Sequence, residues 1–258
     1  MDYFTQRTLE QIDKIFVLSE YHRGDLPALP DEKFYVTRNG IDPSQFAPEY
    51  KATLNQPNKF IYASSPDRGL EIILDYWPKI REMVPDAELH IYYGFTKVFD
   101  MLMVDDPNRR KLKEKIMRQC EELDGVHYHG RIGHQELADV FRTCGAWLYP
   151  SIFTEISCIT AMKAQASGCW PVTNDLSALK ETVKHGYVIN GEMATPGVMD
   201  KWLEAVGRAV TDVTPESRQL MREDALECFS WKTLAMDWSE KFKEWKYAKD
   251  NATALQPR

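Results

Sequence analysis

Residues 149–186 read YPSIFTEISCITAMKAQASGCWPVTNDLSALKETVKHG. Proline and small polar residues come first, then an acid, Glu155. A helix-compatible run, Ile156 to Ser167, follows and is closed by Gly168. A short apolar stretch with Pro171 and Val172, a polar loop and a second helix ending at Gly186 complete it. The expected pattern is loop, helix, strand, loop, helix, with the acid at the first helix's N-terminus. Backbone N–H groups there have no partner inside the helix, and such ends attract phosphates and other anions. A carboxylate beside unpaired amides suits a sugar hydroxyl and a diphosphate together.

The same alternation runs on both sides. KFIYASS (59–65), ELHIYYG (88–94), VHYHGRI (126–132) and AWLYPS (146–151) read as strands. Helices are expected between them: 70–84 with Leu70, Ile73, Leu74, Trp77 and Ile80 on one face, then 107–123, and 134–145 closed by Gly145. Further helices are expected over 198–213 and 215–227, and a long last one from Trp231, capped by Ser230. Near the start, 13–28 reads as a short buried strand and a short helix capped near Ser19. Residues 33–42 read as a second strand with an Asn39-Gly40 turn, and 48–58 as a polar linker. Strands alternating with helices imply a doubly wound parallel sheet of Rossmann-like α/β class, with ligands bound beyond the strands' carboxyl ends.

Composition narrows the class. A chain of 258 residues can bury a sizeable core. A net charge of −7 argues against a nucleic-acid partner, which calls for a basic footprint. The five cysteines are odd in number and lack metal-ligand spacing, which fits reduced thiols in a cytoplasmic protein. The sequence shows no signal peptide or membrane span. His127 and His129 alternate on a strand as ordinary sheet residues, and no metal ligand is assigned.

The stretch at 149–186 resembles the donor-binding motif of retaining GT-B glycosyltransferases, glycosyltransferase family 4. Pro150, Ser151, Glu155, Ala164, Ala166, Gly168, Pro171 and Val172 fall in place. The second acid of the motif does not: Lys163 stands eight residues after Glu155. Lysine has no acceptor, so it cannot accept from ribose hydroxyls as that acid does, and is left to donate to a ribose oxygen or sit near a phosphate. The resemblance implies that Glu155 contacts the donor sugar as the catalytic acid residue. The amides of Ile156, Ser157 and Cys158 would serve sugar hydroxyls and phosphate. Arg68 in Asp67-Arg68-Gly69, with Gly69, would grip the diphosphate, since an arginine fork suits phosphate oxygens. Gly94 would permit close approach. Gly130, Arg131 and Ile132 would flank the nucleobase.

The resemblance also divides the chain. Residues 1–47 are similar to a remnant of a first lobe with its crossover, and 48–228 to the nucleotide-sugar-binding lobe. Residues 229–249 match the helix that crosses back, and 250–258 are a flexible tail. A first lobe needs about 150 residues of its own, so the chain reads as mainly a donor-binding half. The implied reaction moves a sugar from a UDP-, GDP- or ADP-linked donor to a hydroxyl acceptor, with no metal and no other cofactor. A separate N-terminal lobe or a second copy of the chain would complete the cleft. A nucleotide-binding module without turnover, and a structural partner reusing the fold, are also compatible with these residues. The segments expected to meet a first lobe carry Phe16, Leu18, Leu26, Leu234, Trp238, Phe242 and Trp245, which either pack on one another or form an interface. Trp77, Trp202, Trp238 and Trp245 read as core or interface positions.

Overall fold

The computed structural model describes residues 6–26, 29–46 and 54–254. Short helix α1 (Gln6–Gln11) leads into β1 (Ile15–Val17), α2 (Glu20–Gly24) and β2 (Phe34–Val36). There follow β3 (Gln56–Ala63), α3 (Leu70–Met83), β4 (Glu88–Tyr92), α4 (Lys97–Met103), α5 (Pro107–Glu122) and β5 (Val126–Gly130). Next come α6 (His134–Phe141), β6 (Cys144–Tyr149), α7 (Ile159–Ala166), β7 (Trp170–Asn174), α8 (Leu179–Thr182) and β8 (Tyr187–Ile189). The chain ends in α9 (Val198–Thr211), α10 (Pro215–Cys228) and α11 (Trp231–Ala254).

β3 to β8 form a six-stranded, wholly parallel sheet in the order β5-β4-β3-β6-β7-β8. The chain winds outward from β3 to β5, returns to the middle at β6, and winds outward the other way. The switch point therefore lies between β3 and β6, where a doubly wound sheet opens a crevice. α3 packs with α5 and α9, and α7 packs with α6 and α10, giving a helical layer for each face. The periodic apolar residues of α3 are those expected: Leu70, Ile73, Leu74, Trp77 and Ile80 are all buried. Burial of such side chains is worth about 1.5–3 kcal/mol each. Trp202 on α9 is likewise buried, and its indole donates to the Val172 carbonyl at 3.3 Å.

Several expectations shift. β3 begins at Gln56, inside the expected linker, because a register shift between Gln56 and Phe60 accommodates Pro57, which has no N–H to donate. Residues 48–53 of that linker lie outside the described residues. Gly145 does not close α6; it sits within β6, packed so tightly that an added Cβ would lie 2.4 Å from the Gln56 carbonyl. The second helix of the opening stretch is only α8, and Gly186 instead precedes strand β8, three residues long and unforeseen. α4, capped by the Thr96 hydroxyl, was also unforeseen. α11 runs on to Ala254 through residues expected to fray. The caps at Ser19 and Ser230 are as expected: their hydroxyls accept from the amides of His22 and Lys232.

β1 and β2 pair in parallel as a separate two-stranded sheet. The segment is tied to the main lobe by side chains. The Glu181 carboxylate accepts from the amides of Glu20 and Tyr21 at 2.8 and 2.9 Å, and Ser19 Oγ donates to the Ile156 carbonyl. Phe46 is buried against Ala138, Met162, Ala166, Ala225 and Phe229. Phe16, Trp238, Phe242 and Trp245 do pack on one another: Phe16 meets the other three rings at 5.8–6.0 Å.

Candidate functional site

The site is built where the loops after β3 and β6 meet. Ser64-Ser65 follow β3, and a single 3-10 turn, Pro66–Arg68, leads to Gly69 and α3. The buried Tyr62 hydroxyl donates to the Ser65 carbonyl at 2.7 Å and fixes the turn. Gly69 has φ +126°, and a Cβ there would lie 2.2 Å from the Pro150 carbonyl oxygen. Only glycine satisfies both the conformation and the contact. The two loops are thereby pressed together, and Arg68 is delivered to Glu155.

Arg68 Nη1 donates to Glu155 Oε1 at 3.1 Å, and the Tyr149 hydroxyl donates to the same oxygen at 2.7 Å. The Arg68 side chain keeps 32% of its surface open and that of Glu155 only 10%. The guanidinium also lies 3.7 Å from the Phe153 ring centre. Burial works against the Arg68 charge, but Glu155 and Tyr149 outweigh it and hold the guanidinium more firmly protonated than usual. Burial, with the Glu155 carboxylate beside it, pushes the Tyr149 hydroxyl far up, so it remains a donor.

The Glu155 backbone is fixed from below. Its amide donates to Ser177 Oγ at 2.8 Å, and its carbonyl accepts from Ala178. Ser177 adopts φ +55°, a left-handed conformation uncommon for serine, to reach it. Asn174, at the end of β7, accepts from the Ser151 amide at 2.9 Å and donates to the Ser151 carbonyl at 3.1 Å. Tyr149, Asn174 and Ser177 escaped the reading of the sequence. Tyr149 and Asn174 are both last residues of strands, and that position was the available signal.

One expectation about Glu155 is corrected. The helix does not begin at Ile156; α7 starts at Ile159 with Cys158 as its cap residue. Glu155 thus lies a turn before the helix and meets Arg68 and Tyr149 rather than the helix end. The amides of Thr160 and Ala161 face the Cys158 sulfur, yet burial and the Glu155 charge push that thiol up to about 12. This suits a packed cysteine rather than a nucleophile. The amides of Ile156 and Ser157 have no acceptor among the described residues, and Ser157 Oγ is buried without one.

The remaining sequence-predicted residues form two further groups. Tyr93-Gly94 and Gly130-Arg131 come together across β4 and β5: the Tyr93 amide donates to the Gly130 carbonyl at 2.9 Å, and the Arg131 guanidinium lies over the Tyr93 ring at 5.4 Å. Tyr93 itself has φ +82°, and Gly94 at φ +64° lets the Tyr128 hydroxyl close in and accept from the Phe95 amide. Ile132 packs against the core. Lys163 stands apart from Glu155 and lies 3.0 Å from His134 Nδ1. Burial lowers its ammonium pKa. An ion pair extends the first loop: Asp67 accepts from Ser65 Oγ at 2.6 Å and from Arg109 Nη1 at 3.1 Å.

A doubly wound sheet in this strand order, with a charged pair and a glycine contact at its switch point, defines a Rossmann-like lobe of the GT-B kind. The chain belongs to the family of glycosyl transferases group 1, whose model matches residues 51–227. No curated protein sequence matches. Among solved structures, the chain is similar to S. aureus TarM in a complex that includes UDP, at 16% identity and TM-score 0.65, over 90% of this chain and 44% of that one. It is similar to the pneumococcal O-GlcNAc transferase GtfA in complex with UDP and GlcNAc, at 16% identity and TM-score 0.64, over 92% and 46%. It is also similar to Anabaena Alr3699/HepE in complex with UDP-glucose, at 15% identity and TM-score 0.69, over 94% and 69%. The chain thus spans less than half the length of the first two. No described helix is long and apolar enough to cross a membrane.

Proposed function

We propose that the chain is the donor-binding lobe of a retaining glycosyltransferase that moves a sugar from a nucleotide diphosphate sugar to a hydroxyl acceptor. The observation that carries this is the Arg68–Glu155 pair, presented at the switch point by the Gly69–Pro150 contact. A diphosphate draws Arg68 from Glu155 Oε1 to its own oxygens, and Glu155 then accepts from a sugar hydroxyl while Tyr149 continues to hold it. The unpaired amides of Ile156 and Ser157 are the neighbouring donors, with Cys158 behind them. Charge on the leaving diphosphate is met by fixed donors, so the chemistry calls for no metal and no further cofactor. Gly94, Gly130 and Arg131 form the wall for the base of a UDP-, GDP- or ADP-linked donor. Lys163, linked to His134, replaces the acid that accepts from ribose.

Residues 48–228 are the donor lobe in this reading. Residues 1–47 and the helix of 229–249 belong beside a first lobe, and 250–258 form a tail. That lobe, from another chain, another segment or a second copy, brings the glycan, lipid or protein acceptor. The half-open aromatic corner supports self-association, and reduced thiols support a cytoplasmic location. Calorimetry with UDP, GDP and ADP and their sugar conjugates tests the reading. One nucleotide should bind, more weakly in Arg68→Ala, and the affinity added by the sugar should vanish in Glu155→Ala. Absence of binding by all three at millimolar concentration refutes it.

A further inference from the structure

A second cluster of chemistry-bearing side chains lies on the outer part of the sheet. Glu88 and His90 on β4, and His127 on β5, point to the same face, because side chains alternate along a strand and His90 is paired with His127. The opposite face of these strands carries Leu89, Ile91 and Val126 into the core. One ligand-type atom from each of Glu88, His90 and His127 lies within 4.8 Å of the other two. His90 Nε2 and Glu88 Oε2 are 3.3 Å apart. Ligands about 2.0–2.2 Å from a tetrahedral zinc ion stand about 3.4 Å from one another, so this pair already has the spacing, and a small side-chain rotation brings in the third.

A fourth residue orients the set. His90 Nδ1 lies 3.0 Å from His129 Nε2, and the two rings are nearly coplanar in orientation, 6° apart. In the tautomer with the His90 proton on Nδ1 and shared with His129, the Nε2 lone pair faces the Glu88 carboxylate. Two acceptors at that distance repel unless a proton or a metal cation lies between them. Holding a metal-binding imidazole by its other nitrogen is the usual outer support of such sites.

We propose that Glu88, His90 and His127 bind a divalent first-row transition metal of the zinc class, with His129 as the positioning residue. Two imidazoles and one carboxylate suit that class rather than magnesium or calcium, which take oxygen ligands. The opposing charge is Lys59, whose residue is paired with Glu88 across β3 and β4; its ammonium donates to Thr143 Oγ1 at 3.1 Å. The metal would staple edge strand β5 to β4. His129 also stacks on Tyr92 at 4.6 Å, immediately before Tyr93-Gly94 and Gly130-Arg131, so the staple would stiffen the ends of those strands.

The test is calorimetric titration of the chelator-treated full chain with zinc chloride, followed by thermal melting. One equivalent should bind in the low micromolar range and raise the melting temperature. Glu88→Gln and His127→Ala should each weaken binding at least tenfold, His129→Ala by about tenfold, and Lys59→Met should tighten it. Cys228→Ser should leave the affinity unchanged, which separates this site from thiol binding. Glu88, His127 and His129 are exposed sheet residues and Cys228 ends α10, and unchanged far-ultraviolet dichroism without metal verifies the folding of every variant. No binding at high micromolar zinc, or equal affinity in folded Glu88→Gln and His127→Ala, would overturn the proposal.

Discussion

The switch point and the β1–β2 corner are both made from parallel strands, yet they are held by opposite means. At the switch point β3 and β6 are central strands, and their loops are locked by backbone contact, a buried tyrosine and a charged pair. In the corner only two short strands pair, too few for independent stability. What holds them is α11: Trp238 donates to Thr37 Oγ1 at 2.7 Å, Tyr35 donates to Asp237, and Phe16 sits among the rings of Trp238, Phe242 and Trp245. Phe242 nevertheless keeps 53% of its surface exposed and Trp231 43%. The lobe closes on itself, whereas the corner is finished by side chains from the far end of the chain, with Glu181 and Ser19 tying it to the lobe.

The comparison breaks most visibly at Gly69. Gly69→Ala should destabilise the fold by about 2–4 kcal/mol, since a Cβ meets backbone and φ is unfavourable; urea denaturation reads the change. An unaltered midpoint would show that the two loops are not pressed together. Trp238→Ala should cost less, about 2–3 kcal/mol, because the ring is only partly buried. Its loss should appear in hydrogen exchange as lower protection of β1, β2 and α11, with β3, β4 and β6 unchanged. A uniform loss over the whole chain would mean that corner and lobe unfold as one unit. Glu155→Gln should cost about 1–2 kcal/mol, below the range for fully buried pairs because Arg68 is one-third exposed. Salt should screen this difference little, and melting at two ionic strengths decides it.

The last effect is silent near neutrality and emerges only in alkali. Burial, with the Glu155 charge, pushes the Cys158 thiol to about 12, and burial pushes that of Cys144 to about 12, from an ordinary 9.0. The unfolded chain therefore releases these protons first. Stability should be fully present below pH 9 and fall as pH rises from 9 toward 12. Cys158→Ala should flatten that slope. At pH 8 iodoacetamide should label Cys228 and spare Cys158; rapid labelling of Cys158 would contradict its burial.

The lobe was legible because its strands are apolar, its helices periodic and its turns marked by glycine. Helix α3 lies where its apolar positions put it, and Arg68, Gly69 and Glu155 come together in the structure. β8 was not legible: three residues, Tyr187–Ile189, give too short a run to show alternation. The start of α7 was misplaced because Ile156, Ser157 and Cys158 are all compatible with a helix, and the ties of Glu155 to Ser177 and Ala178 and of the Ile156 carbonyl to Ser19 hold this loop in place. Tyr149, Asn174 and Ser177 act through partners far away in sequence, which no local pattern records. The cluster of Glu88, His90 and His127 depends on the register of two strands and was visible in the sequence only as an alternating pair.

The Arg68–Glu155 contact also bears on order. Arg68 Nη1 and Glu155 Oε1 are partners in the structure, so a ligand that takes up Arg68 frees a carboxylate oxygen for a second group. An uncharged sugar has nothing with which to attract Arg68, and it meets a carboxylate already engaged. A diphosphate does have that attraction. Under the proposed function, the pair would act as a latch that a nucleotide opens and a free sugar does not, and sugar recognition would follow phosphate capture rather than precede it.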